Sequence, residues 1–134
     1  MKKIIIACLL LSLFSCKKEV VIENFKEELA GSWELERRSD YTGTQQYPAG
    51  NGDILVFDKV GNYQRKSIGS ITQSSTYKLS RKKDCHQSDS DIMIKLGETS
   101  SDTRVYVQIK NNQLIFNTSN CYADGATTTY RRLP

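Results

Sequence analysis

The stretch TRVYVQIKNNQLIFNT, Thr103 to Thr118, decides the fold class. Val105, Val107 and Ile109 alternate with Arg104, Tyr106 and Gln108, the two-residue period of a strand with one buried face. Asn111-Asn112 suits a type I′ turn, because asparagine tolerates the positive φ that both central positions require. Gln113 to Thr118 then returns as the antiparallel partner of Thr103 to Lys110. Six more segments rich in Val, Ile, Thr, Tyr and Phe recur between turn signals: Ser32 to Arg38, Asp53 to Asp58, Asn62 to Ile68, Ser70 to Leu79, Asp91 to Leu96 and Ala126 to Leu133. Gly69-Ser70 fits a type II′ turn, and Gly61-Asn62 closes a slightly longer one. No long helical period separates the strands, so parallel crossovers are not expected. The fold class is all-β, a small antiparallel eight-stranded up-and-down barrel, in which closure removes exposed edges.

Alternation turns Trp33, Leu35, Tyr77, Leu79, Ile92, Ile94, Leu96, Val105, Val107 and Ile109 inward. The third and eighth strands are polar on both faces, with Tyr63, Gln64, Arg65, Lys66 and Thr127, Thr128, Thr129, which predicts one wet side of the barrel. Ahead of the first strand, Asn24 reads as a helix N-cap with Glu27 three residues later, and Gly31 as the stop. Ile22, Phe25 and Leu29 share one face of this short N-terminal helix, so it should lie on the barrel as a lid or plug.

The chain has 134 residues, 38% hydrophobic and 25% charged, which suits one folded domain and is too apolar for general disorder. At its start, Met1, Lys2 and Lys3 precede an apolar run from Ile4 to Phe14, too short to span a bilayer and patterned as a secretory signal peptide. Leu13, Phe14, Ser15 and Cys16 resemble the lipobox of bacterial lipoproteins, in which the cysteine is acylated and becomes the first residue. That resemblance implies a lipid-anchored protein of the bacterial outer membrane, on the periplasmic face or the cell surface, with Cys16 as the lipidation site. Residues 1–15 are then the signal peptide, 16–23 the lipidated tether and 24–134 the barrel domain. Lys17, Lys18 and Glu19 read equally as a solvated linker or as a stretch that resembles the surface-export signals of Bacteroidota lipoproteins.

Loss of Met1 to Ser15 takes Lys2 and Lys3 and no acid, so Lys plus Arg falls from 19 to 17 against 15 acids. The remaining pairs, such as Arg37-Arg38 and Lys82-Lys83, are scattered among acids rather than drawn into a stripe, and nucleic acid is not an expected partner.

Leu29, Ala30, Gly31, Ser32, Trp33, Glu34, Leu35 resembles the Gly-x-Trp opening of lipocalins and of the lipocalin-like domains of bacterial lipoproteins. The resemblance implies that Trp33 closes one barrel end with an arginine from near the last strand over its indole; Arg131 and Arg132 both stand there, and the sequence leaves the choice open. It also implies a small apolar or amphipathic ligand. Leu35, Tyr77, Ile94 and Val107 are candidate interior contacts, and Tyr41 and Tyr47 are candidates in the loop from Ser39 to Gly52, which should overhang the open end. The competing reading is a filled-barrel module that binds an envelope protein or polysaccharide; large side chains meeting at the centre would favour it.

Cys85 and Cys121, both in expected loops of an exported protein, should form a disulfide worth roughly 3–4 kcal/mol in the chain-entropy model. Asp84-Cys85-His86 lacks a second histidine or a cysteine pair at zinc spacing, and Asp89-Ser90-Asp91 lacks the glycine and later glutamate of a calcium loop, so no metal and no other cofactor is expected. No nucleophile elbow, phosphate loop or dinucleotide fingerprint is present, and the expected function is non-enzymatic.

Overall fold

The computed structural model describes residues 19–82, 91–98, 104–118 and 125–134. A helix, α1, covers residues 19–29 and is followed by nine strands: β1 (Gly31–Asp40), β2 (Gly43–Gln46), β3 (Ile54–Phe57), β4 (Asn62–Ser67), β5 (Ser70–Arg81), β6 (Ile92–Leu96), β7 (Val105–Lys110), β8 (Gln113–Thr118) and β9 (Thr127–Arg132). All neighbours pair antiparallel, and β9 returns to β1 from Trp33↔Arg132 to Ser39↔Thr127, closing the sheet. β2 and β3 share one edge of β1, β2 against Arg37–Asp40 and β3 against Gly31–Glu34, so together they occupy a single position and the barrel has eight. The fold class is therefore the one expected from the sequence, an all-β closed eight-stranded antiparallel barrel with one short N-terminal helix.

Three local expectations are corrected. α1 begins ahead of Asn24, which lies exposed within the helix rather than capping it. The apolar series Ile22, Phe25, Leu29 already runs back past Asn24, and burial of that face outweighs the capping preference of one asparagine. The stretch from Ser39 to Gly52 is not one overhanging loop, because Ser39 and Asp40 belong to β1 and Gly43–Gln46 pairs back on it. Finally, the β4–β5 turn is Ile68-Gly69 between the Ser67↔Ser70 pair, not Gly69-Ser70. The register shift at Arg65/Lys66 leaves Thr72 as an extra residue of β5 and brings Ser70 opposite Ser67, so only Ile68 and Gly69 remain to make the turn. The Asn111-Asn112 turn is as expected, with φ of 53° and 59° between Lys110 and Gln113.

Ile68 and Gly69 have φ of 49° and 79°, the signs of a type I′ turn, which a β-branched residue enters only under strain. Ile68 is 87% exposed, so burial does little to offset that strain. Ile68→Asn is expected to raise stability by about 1 kcal/mol in denaturant melts. A drop instead would mean that the isoleucine side chain holds the hairpin in place.

The interior is built by the inward faces. Trp33, Leu35, Leu55, Phe57, Tyr63, Tyr77, Ile92, Ile94, Val107, Leu114 and Tyr130 form one cluster with Leu29 of α1, while Ile22 and Phe25 pack against it. α1 thus plugs the end where β1 starts. The β3–β4 turn lies at the same end, where Asp58 Oδ1 accepts the N–H groups of Val60, Gly61 and Asn62 at 2.8 to 2.9 Å and Oδ2 accepts the Asn62 amide at 2.7 Å. Those bonds, led by the Asn62 side chain, hold its carboxyl down at about 2.

The Tyr77 hydroxyl donates to the Asp58 carbonyl at 2.7 Å. Burial first, then the nearby Asp58 carboxylate, push that hydroxyl from 10.0 up to about 12. The folded value lies above the unfolded one, so this stabilisation is complete below the ordinary tyrosine value and is lost as pH rises toward 12. Tyr77→Phe is expected to remove one phenolate from the most alkaline part of an absorbance titration. An unchanged alkaline limb would contradict the assignment.

Candidate functional site

The inward residues divide along the barrel axis. Toward α1 the interior is filled by large apolar groups, with Phe57 stacked on Tyr63 at 6.0 Å between centroids and meeting Tyr77 edge-on at 5.3 Å. At the opposite rim it becomes charged: Arg38 from β1, Asp53 just before β3 and Arg65 from β4 come together beside Tyr47 and Tyr130. The wet part of the barrel is therefore one end rather than one side.

β-Sheet register explains the gathering. Arg65 lies opposite Leu55 and shares its inward face, and Asp53 precedes Leu55 by two residues. Strict alternation from Trp33 and Leu35 would send Arg37 inward, but a bulge between Leu35 and Arg37 shifts the phase by one residue. Arg38 consequently sits opposite Thr128, in line with inward-facing Tyr130.

Arg65 Nη2 donates to Asp53 Oδ2 at 2.9 Å, and Arg38 Nη2 lies 3.7 Å from the same oxygen. Asp53 Oδ1 is buried and receives no hydrogen bond. The bond to Asp53 is the main cause that raises the Arg65 guanidinium above its usual value. The Arg38 guanidinium carbon stands 5.8 Å from the Tyr47 ring centre, and the Tyr47 hydroxyl donates to Gln45 at 2.8 Å. Burial pushes the Tyr130 hydroxyl up, opposed by the Arg65 guanidinium nearby and by a hydrogen bond from Arg38. Phe116 meets Tyr130 edge-on at 5.5 Å and continues the aromatic lining.

On the outer face, Pro48 to Gly52 folds back over β1. The Gly50 and Gly52 N–H groups donate to Glu34 at 3.0 and 3.3 Å, while Arg131 Nε lies 3.5 Å from Glu34 Oε2. Arg131 Nη2 also donates to the Tyr47 carbonyl at 2.6 Å, and the Asn51 amide donates to the Leu35 carbonyl at 2.7 Å. Gly52 is required here: its φ is 78°, and a Cβ would stand 3.1 Å from the Ile68 backbone nitrogen.

The residues singled out in the sequence separate accordingly. Leu35, Tyr77, Ile94 and Val107 are buried members of the core cluster, and Tyr77 also forms part of the wall of a cleft beside α1. Tyr41 is 79% exposed on the β1–β2 turn, whereas Tyr47 turns into the rim. Trp33 is wholly buried, with Arg132 over its ring at 4.8 Å; Arg131 points the other way, to Glu34. Cys16, Cys85 and Cys121 lie outside the described residues. This cleft, of about 510 Å³, opens at the plugged end between α1, the β3–β4 turn and β5, lined by Ile22, Lys26, Val60 and Leu79 among others. Among the described residues, no three His, Cys, Asp or Glu side chains gather as a metal site.

Sequence reasoning missed the rim triad. Arg65 was visible only as part of a polar strand, and Arg38 was hidden by the bulge; the available signal was a charged residue at an inward position. Comparison with family models, curated protein sequences and solved structures finds no match to this chain.

Proposed function

We propose that this chain is a lipid-anchored, non-enzymatic lipoprotein of the bacterial outer membrane whose barrel binds a small amphipathic molecule at its rim. The observation that carries the binding reading is the inward cluster of Arg38, Asp53, Arg65, Tyr47 and Tyr130. Arg38 and Arg65 stay solvent-accessible at the rim while their charges face inward, where a barrel that only had to be stable could carry apolar residues. The lipid anchor rests on the lipobox-like Leu13 to Cys16. The Gly31-x-Trp33 opening with Arg132 over the indole supports the lipocalin-like character of the barrel. The ligand would sit shallowly, since Leu35, Leu55 and Leu114 fill the barrel below.

Native mass spectrometry with lipid extraction, on protein purified from its own envelope, tests the reading. A retained small molecule is the expected result. A bare polypeptide mass would instead favour a filled-barrel module that binds an envelope protein or polysaccharide, the reading that the packed core supports. Labelling with a radioactive fatty acid should mark the wild type and spare Cys16→Ser. Non-reducing peptide mapping should recover Cys85 joined to Cys121, and two free thiols would remove that pairing.

A further inference from the structure

Building on the rim-binding reading, we propose that Arg38 sets the ligand's charge: the rim takes the carboxylate of a small amphipathic acid, and Arg38 is its partner. Two guanidiniums face one carboxylate, and the geometry shows which of them is committed. Arg65 makes a charge-assisted hydrogen bond to Asp53 at 2.9 Å, whereas Arg38 approaches the same oxygen no closer than 3.7 Å, beyond hydrogen-bond range. Asp53 thus hydrogen-bonds Arg65 and pairs only at longer range with Arg38, so two guanidinium charges share one carboxylate and Arg38 is the one whose N–H donors Asp53 leaves open. Asp40, two residues further along β1, directs its Oδ1 to the N–H and hydroxyl of Thr42, and among the described residues it forms no ion pair with Arg38.

The side chain of Arg38 is 46% exposed, so a solute reaches its guanidinium without unfolding the barrel. The Tyr47 ring, 5.8 Å from the guanidinium carbon, limits where that group can point. A planar guanidinium offers two parallel N–H donors, which match a carboxylate better than any neutral head group. The filled interior below sends the apolar tail along Phe116 and Tyr47, so the ligand is short or lies across the rim.

Titration calorimetry of the full-length protein with hexanoate and with 1-hexanol tests this, the two probes sharing a tail and differing in charge. Wild type should bind hexanoate more tightly, and added salt should weaken hexanoate alone. Arg38→Gln should lower hexanoate affinity about 10- to 100-fold, the loss of a hydrogen bond to a charged group, and leave 1-hexanol unchanged. Arg38→Lys should recover part of the loss. Equal binding of the two probes by wild type, or undiminished hexanoate affinity in Arg38→Gln, overturns the role of Arg38 while the rim reading stands. Binding of neither probe overturns both. If Arg38→Gln fails to fold, the wild-type comparison and Arg38→Lys still decide.

Discussion

Trp33→Ala is expected to destabilise the protein by about 3–5 kcal/mol, the range for removing a buried aromatic side chain from a packed core. The indole is 0% exposed and joins three parts of the fold. It stands opposite Leu55 on β3 and Arg132 on β9, so its loss opens a void at the seam where the barrel closes. Its Nε1 donates to the Leu29 carbonyl at 2.8 Å, tying the last turn of α1 to the first strand and satisfying a helix-end carbonyl that would otherwise lack a partner. Arg132 caps the ring at 4.8 Å while its Nη2 donates to the Ala30 carbonyl at 3.0 Å. Because Arg132 is exposed, Arg132→Ala should cost only about 0.5–1 kcal/mol, and the contrast separates the buried plug from its cover. Denaturant unfolding of both variants measures it. A Trp33→Ala effect under about 1 kcal/mol would mean that neighbouring side chains collapse into the space.

How much of this was legible in the sequence depended on whether a local pattern survived contact with the rest of the fold. The hairpin around Asn111-Asn112 was readable because an uninterrupted two-residue alternation and an asparagine turn agree with each other, and the inward set Val105, Val107, Ile109 follows from it. The inward face of Trp33 was readable from its alternation with Leu35, while its place at the barrel end came only from the resemblance of Gly31-Ser32-Trp33 to a Gly-x-Trp opening. The rim triad was not, because one extra residue between Leu35 and Arg37 exchanges the faces of Arg37 and Arg38, and nothing local announces a bulge. The packing depth was also illegible. Alternation says that Leu35, Tyr77, Ile94 and Val107 face inward, but only the tilt and closure of the strands decide whether side chains from opposite walls meet or leave a cavity. Likewise, alternation with Trp33 and Leu35 puts Glu34 on the outer face, and its burial there depends on a loop of later residues folding back over it.

That loop gives the second large effect: Glu34→Ala should destabilise by about 2–4 kcal/mol, although alternation places the residue on the outside of the barrel. The carboxylate is 3% exposed and accepts two backbone N–H groups, from Gly50 and Gly52, both at positive φ, 79° and 78°. Truncation leaves both donors without their acceptor and removes the carboxylate paired with Arg131, whose Nη2 keeps its bond to the Tyr47 carbonyl, and a donor left unsatisfied under cover costs more than the bond it lost. Arg131 is only partly buried, so water recovers some of its share and keeps the total below that of a fully interior ion pair. The effect should also be local. With the clasp gone, the Pro48 to Gly52 segment loses its attachment to β1, and amide exchange at Gly50 and Gly52 should accelerate while β7 and β8 keep their protection. Glu34→Gln keeps one acceptor oxygen and should fall between wild type and alanine. If Glu34→Ala unfolds at the same denaturant concentration as wild type, the loop is held by the Asn51 and Arg131 bonds to the Leu35 and Tyr47 carbonyls instead, and the carboxylate is incidental to the fold.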